Sequence, residues 1–228
     1  MLFMILMAFM LIGFIVQQRL KSKFRKYGKV PVSNGMTGRE IAEKMLADNN
    51  IYDVKVTATT GRLTDHYNPA NKTINLSEDV YNGYSVAAAA VAAHECGHAV
   101  QHATSYSWLQ LRSALVPVVN FSSRALSIIF ILMIFGAFAV NLFPISTVLW
   151  TMIILQGAIT LFTVITLPVE YDASNRALVW LDNSGSMGRI QHDQAKDALN
   201  AAASTYLVAA LAAITQLAYY VMLLMGRD

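Results

Sequence analysis

The distribution of apolar residues constrains this chain before any single motif does. Met1 to Val16 is a run of sixteen residues without a polar side chain, close to the roughly 17 that the shortest spanning helices need. Leu126 to Phe143, Val148 to Leu167 and Tyr206 to Met225 are three more apolar blocks of spanning length. Only 14% of the 228 residues are charged and 55% are hydrophobic, against about a quarter charged in a soluble domain. Four transmembrane helices are therefore expected. Gln156 is the only strongly polar residue of the third block, and it should face other helices with the threonines near it.

Charge placement orders these spans across the membrane. The first apolar run is followed, not preceded, by Arg19, Lys21, Lys23, Arg25, Lys26 and Lys29. A cleaved signal peptide has the opposite order and a small-residue cleavage site, so the run reads as a retained anchor with a cytoplasmic basic end. Thirteen of the seventeen Lys/Arg residues lie from Arg19 to Arg124, and three more lie at Arg176, Arg189 and Lys196. The connection from Pro144 to Thr147 has none. Positive residues accumulate on the inner side, which puts the segments around 19–125 and 169–204 in the cytoplasm. The net charge of +3 is too small to suggest a nucleic-acid partner; the expected partners are the lipid bilayer and a peptide or membrane-protein substrate. The oligomeric state is not encoded in any recognisable way.

Between the first two spans the pattern becomes mixed. Thr37-Gly38-Arg39-Glu40 has capping-box spacing and opens a short amphipathic helix to about Ala47. Alternation at Tyr52, Val54 and Val56 predicts a strand, with further short strands at Leu63–Tyr67 and Lys72–Leu76. The last of these is a candidate sheet edge for pairing with an extended substrate. Ser77 is a candidate cap for the turn at Glu78 and Asp79. An alanine-rich helix is predicted from Tyr84 to about Thr104, too short in its apolar part to span a bilayer. Trp108 to Val119 reads as a helical segment interrupted at Pro117. Pro168 marks the exit of the third span, and a polar helical stretch follows from Glu170 to about Trp180. A helix starting near Gln194 should lead into the fourth span.

The alanine-rich helix carries His94-Glu95-Cys96-Gly97-His98. Residues four apart share a helix face, so His94 and His98 can present two imidazoles to one zinc ion, with Glu95 placed to act on a water beside it. Cys96, the only cysteine, lies about 200° round from His94 and should pack behind the site. His102 shares the histidine face but is about 12 Å from His94 along a straight helix, too far to join it on one ion. Gln101 and Thr104 occupy the positions where metzincins have their glycine and third histidine, which excludes that class. A catalytic zinc needs a third protein ligand. Glu170, a carboxylate directly after a span and a proline, is the leading candidate, and Asp172 is its rival. Asp65, His66, Tyr67 and His192 are candidate substrate or transition-state contacts, with His66, Tyr67 and His192 the candidates for stabilising an oxyanion.

Three stretches together, His94-Glu95-Cys96-Gly97-His98-Ala99-Val100-Gln101, Leu63-Thr64-Asp65-His66-Tyr67 and Pro168-Val169-Glu170-Tyr171-Asp172-Ala173-Ser174, resemble the bacterial YugP-like neutral zinc metallopeptidases over nearly the whole chain. That resemblance implies a gluzincin with Glu170 as third ligand and Glu95 as catalytic base, holding one zinc per chain in the bacterial plasma membrane. The region around Glu170 is also similar to HtpX-type membrane peptidases, whose pattern reads E-x-x-A-D; Ser174 stands here in place of the aspartate.

The expected architecture is a mainly α membrane protein with about four transmembrane helices and a small cytoplasmic α+β zincin-like domain with a short sheet. It divides into an N-terminal anchor (1–18), a cytoplasmic zincin-like region (19–125), a transmembrane helical hairpin (126–168), a cytoplasmic segment with the third ligand (169–204) and a C-terminal transmembrane helix (205–228). The expected activity is endopeptidase hydrolysis through a zinc-activated water with Glu95 as general base. Two alternative readings stand beside it. Trp180-Leu181-Asp182-Asn183 echoes site-2-type intramembrane proteases, but the H-E-x-x-H helix lacks spanning apolar length. A non-catalytic zinc-containing scaffold would have no need of Glu95.

Overall fold

The structure is a computed structural model that describes residues 2–135 and 144–226. It divides into two compact units. One comprises Ile15–Gln110 and Pro168–Thr205, and the other Met1–Phe14, Leu111–Leu167 and Tyr206–Asp228.

Helix α1 spans Leu2–Tyr27, taking in both the apolar run and the basic cluster. Helix α2 spans Gly38–Asp48 and begins with the expected capping box: the Glu40 amide donates to Thr37 Oγ1, and the Thr37 amide donates to Glu40 Oε2. These bonds satisfy two donors that a helix start otherwise leaves open. Ile41, Ala42, Met45 and Leu46 form its buried face. A Cβ at Gly38 would stand 2.2 Å from the Val80 carbonyl oxygen, so the close approach of this helix end requires glycine.

Three short strands follow: β1 at Lys55–Thr59, β2 at His66–Asn68 and β3 at Thr73–Ser77. Their order is β1-β3-β2, with β1 parallel and β2 antiparallel to β3. β1 begins three residues later than the alternation at Tyr52 suggests. Tyr52 is exposed and Asp53 pairs with Lys72, while the ladder opens at Lys55↔Thr73. The register is set by β3, whose Ile74 and Leu76 are fully buried; one face of a strand repeats every second residue. β3 is the central strand, paired on both sides, so the expectation that it offers an edge to substrate is wrong. The edge near the site helix belongs to β2. Ser77 precedes helix α3 (Glu78–Tyr81) but does not cap it; its amide and hydroxyl donate to Asp65.

Helix α4, Val86–Ala103, is capped by Ser85, whose Oγ accepts from the Ala88 amide. Every residue from Val86 to Ala93 is buried. Small side chains let this helix sit inside the unit, with α2 and β3 residues in the same apolar core. Cys96 is fully buried, with Sγ 3.5 Å from the Ala42 carbonyl oxygen, and burial with the nearby Glu95 charge raises its thiol pKa well above the usual value. It packs behind the site, as expected.

Three long helices complete the fold: α5 at Ser107–Phe135, α6 at Ile145–Asn183 and α7 at Arg189–Met225. Neither proline breaks its helix. Pro117 lies inside α5 and Pro168 inside α6. A proline removes one backbone hydrogen bond at a cost of about 3 kcal/mol, but ending a helix leaves up to four backbone carbonyls without a partner at once. α7 likewise starts five residues before the expected Gln194. The second expected span, Leu126 to Phe143, lies in α5 as far as Phe135; the remainder falls outside the described residues. Among the described residues, four helices are long and apolar enough to cross a membrane: Phe3–Tyr27, Ser107–Met133, Ile145–Asn183 and Arg189–Met225. Gln156 is buried as anticipated, and its Nε2 and the Thr160 hydroxyl both donate to the Ala213 carbonyl of α7. Such side-chain bonds hold apolar helices together where the hydrophobic effect is weak.

Candidate metal centre

Helix periodicity brings His94 and His98 onto one face of α4, and α6 lies against that face through a narrow contact. A Cβ at Gly97 would meet the Ala173 carbonyl oxygen at 2.5 Å. Glycine on one helix and alanine on the other therefore let the backbones approach closely. Glu170, Ala173, Ser174, Ala177 and Leu181 form the buried face of α6 here. Glu170 is thereby brought among the histidines: its Oε2 lies 3.4 Å from His94 Nε2 and 3.6 Å from His98 Nε2.

These three ligand atoms lie within 4.8 Å of one another, close enough to bind one metal ion. The chemistry of the set fits zinc, which takes imidazole nitrogen and carboxylate oxygen. Glu170 is only 3% exposed, and its Oε2 is buried without a hydrogen-bond partner. A buried polar atom left in that state costs about 1–3 kcal/mol, and a cation between the three donors removes the cost. Burial works against charge on His98, but the carboxylates of Glu170 and Glu95 beside it, with the bond to Gln101, together raise its pKa above the usual value.

The far nitrogen of each imidazole is also held. Gln101 is fully buried, and its Nε2 donates to the Val169 carbonyl and to Asp172 Oδ2, both at 2.8 Å. Both partners are acceptors, which fixes the amide orientation and turns Oε1 toward His98 Nδ1 at 3.0 Å. His98 Nδ1 must then carry the proton, leaving the Nε2 lone pair directed at Glu170. His94 Nδ1 lies 3.1 Å from Ser174 Oγ, so the serine at the position of the familiar aspartate still reaches the histidine. Such partners orient metal-binding imidazoles and tune their basicity.

Glu95 follows His94 on α4 and is also buried. Its Oε2 accepts the Tyr67 amide of β2 at 2.9 Å, while Oε1 has no hydrogen-bond partner among the described residues. The Tyr67 hydroxyl shares a hydrogen bond of 2.7 Å with His102 Nδ1, which accounts for His102 away from the histidine pair. Asp172 is not grouped with the metal donors: its Oδ2 takes Gln101 and Arg176. His66 is exposed and bonded to the Thr64 carbonyl, Asp65 holds Ser77, and His192 is bonded to the Leu178 carbonyl. Of the candidates for a transition-state contact, only Tyr67 touches Glu95. Sequence reasoning missed Gln101 and Ser174 as partners of the histidines; the one available signal was Gln101 three residues after His98, on the same helix face.

A chain with this site and these helices belongs to the family described as "Putative neutral zinc metallopeptidase", which matches residues 2–225. It is 42% identical over 219 residues, covering 95% of this chain and 94% of the relative, to the "Putative membrane protease YugP" of Bacillus subtilis (strain 168). No solved structure matches the chain.

Proposed function

We propose that this protein is a membrane-embedded zinc endopeptidase, with His94, His98 and Glu170 holding one zinc per chain and Glu95 serving as general base. The observation that carries the reading is the grouping of three donors around a buried, unpartnered carboxylate oxygen. Three protein donors leave a position open, as catalytic sites do and closed four-ligand structural sites do not. Family membership and the membrane-protease relative point the same way.

Bound zinc supplies a Lewis acid that lowers the pKa of water toward about 7 and polarises a carbonyl. Glu95 does the proton work. Its free oxygen takes a proton from the water whose oxygen bonds to the scissile carbonyl carbon. It then gives that proton to the amide nitrogen as the carbon–nitrogen bond breaks. Tyr67 holds the other oxygen and so points the base, while Gln101 and Ser174 keep both Nε2 atoms facing Glu170. The Lys/Arg asymmetry places regions 19–125, zincin-like in this reading, and 169–204 in the cytoplasm of a bacterial cell, between transmembrane segments 1–18, 126–168 and 205–228. The substrates are peptides or membrane proteins with an exposed extended segment.

The test is Glu95→Gln in the purified full-length protein. It should keep one equivalent of zinc and lose at least about 100-fold in turnover of an unfolded peptide, the usual worth of a positioned general base. Unchanged turnover at saturating zinc overturns the assignment.

A further inference from the structure

Beside the N-terminal end of α4 lies an open cavity of about 1050 Å³. Its charged lining is Lys21, Arg25 and Lys29 from the end of α1 and the segment after it, with Arg62, Asp65 and Asp79 opposite. Arg62 pairs with Asp79 at 2.9 Å, and Asp65 accepts the Ser77 amide and hydroxyl. Lys21, Arg25 and Lys29 are exposed and have no ion-pair partner among the described residues, so the charged lining stays net positive, four cations against two carboxylates. The segment just after α1 is held against the start of the site helix: the Val32 amide donates to the Tyr84 carbonyl, the Val86 amide donates to the Val30 carbonyl, and Pro31 bridges Ser85.

One path connects this cavity to Glu95. Along the chain into β2, Asp65 lines the cavity two residues before Tyr67, whose amide holds Glu95; two residues span at most about 7 Å. The cavity therefore lies beside the start of β2, the edge strand whose Tyr67 amide holds Glu95, at the reach of two or three residues of extended peptide, about 3.3 Å each. Leu63, an exposed leucine held at φ +58°, stands on its lining. That conformation costs a leucine energy and persists only where the surroundings hold it, so the loop presents a fixed wall.

We infer that this cavity is a substrate subsite for an acidic group, a glutamate or aspartate side chain or a terminal carboxylate, two or three residues from the scissile bond. The inference rests on the peptidase reading above. A lipid headgroup is the rival occupant of a basic cavity on a helix that begins with an apolar run. The peptide is favoured because the cavity adjoins the start of the edge strand β2, whose Tyr67 amide holds the base, so a peptide lying along that strand toward Glu95 reaches it.

The test uses the purified full-length protein with zinc, first in neutral phosphatidylcholine vesicles. The cleavage point in an uncharged peptide is located by mass spectrometry. Glutamine at each of the three positions on either side is then replaced in turn by glutamate or lysine. Glutamate at one position two or three residues from the cut should raise kcat/KM about tenfold, mostly through KM, and lysine there should lower it, as two or three exposed charge pairs would. In the triple variant Lys21→Gln, Arg25→Gln, Lys29→Gln the preference should fall to about one while cleavage of the uncharged peptide is retained. Arg25→Glu should favour the lysine peptide, which guards against a trivial loss of folding. Equal kcat/KM for all peptides in the wild type overturns the subsite. So does a triple variant that keeps the glutamate preference. A variant that loses activity equally on every peptide, and only in vesicles with anionic phosphatidylglycerol, assigns the cavity to lipid instead. No cleavage of any peptide refutes the peptidase reading, which is a separate outcome.

Discussion

Gln101→Leu isolates the contribution of one buried amide to metal binding. The substitution keeps the approximate volume at a site with no solvent exposure and removes three polar contacts, to His98, Val169 and Asp172. Their loss does not fall equally. Asp172 keeps Arg176, and the Val169 carbonyl keeps the backbone partner that a helix interior provides. His98 Nδ1–H loses its acceptor in a buried setting, a cost of about 1–3 kcal/mol. It also loses the fixed tautomer, so the ring can turn or shift its proton to Nε2. Outer partners of metal-binding histidines are worth about 10–100-fold in affinity, or about 1.4–2.8 kcal/mol. Zinc dissociation constants are measured by competition with a chromophoric chelator on detergent-solubilised protein, alongside thermal unfolding of the metal-free form. The expected result is a zinc affinity 10–100-fold weaker, with only about 1–2 kcal/mol lost from metal-free stability. Wild-type affinity in Gln101→Leu would refute the argument that Gln101 sets His98.

Further outcomes follow from neighbouring residues. Glu170→Ala should empty the site after dialysis, measured by elemental analysis, whereas Asp172→Ala should keep most of its zinc because Asp172 contacts Gln101 rather than the donor cluster. Gly97→Ala places a methyl group 2.5 Å from a backbone oxygen; it should cost about 1–3 kcal/mol in unfolding free energy and weaken zinc binding by pushing α6 from α4. Cysteines introduced at Asn34 and Asn183, on a Cys96→Ser background, should resist an impermeant thiol reagent in intact cells, while one at Ser146 should be labelled. Labelling in the reverse pattern means that the positive-inside argument has been misapplied.

The sequence discloses the part of this site that is local to one helix. His94, Glu95 and His98 are related by helix periodicity alone, and Glu170 is conspicuous because a carboxylate next to an apolar block needs a partner. Gln101 and Ser174 are different. Gln101 acts on His98 three residues away but is oriented by Val169 and Asp172, about seventy positions along the chain, and Ser174 meets His94 across 80 positions. Nothing short-range records such contacts. The errors in the fold have a common origin in reading local signals without their surroundings. Pro117 and Pro168 read as helix interruptions and are not, because ending a helix leaves several backbone carbonyls unsatisfied where a proline removes a single bond. The Tyr52 alternation was displaced toward Lys55 because β3 fixes where pairing starts.

The bond from Tyr67 to Glu95 makes a symmetrical group unsymmetrical. A free carboxylate offers two equivalent oxygens, and a flip of its end exchanges them at little cost. Here one oxygen is fastened to the backbone of β2 and the other is not; a half-turn only exchanges the two between the same two places, and any smaller rotation breaks the bond to an edge-strand amide. In the proposed mechanism proton transfer is thereby confined to one position, and the geometry of Glu95 is inherited from a strand rather than from the helix on which it is written. A side-chain substitution at position 67 cannot remove that amide unless it is to proline. The Glu95 carboxylate is thus protected against most mutations of the residue that positions it.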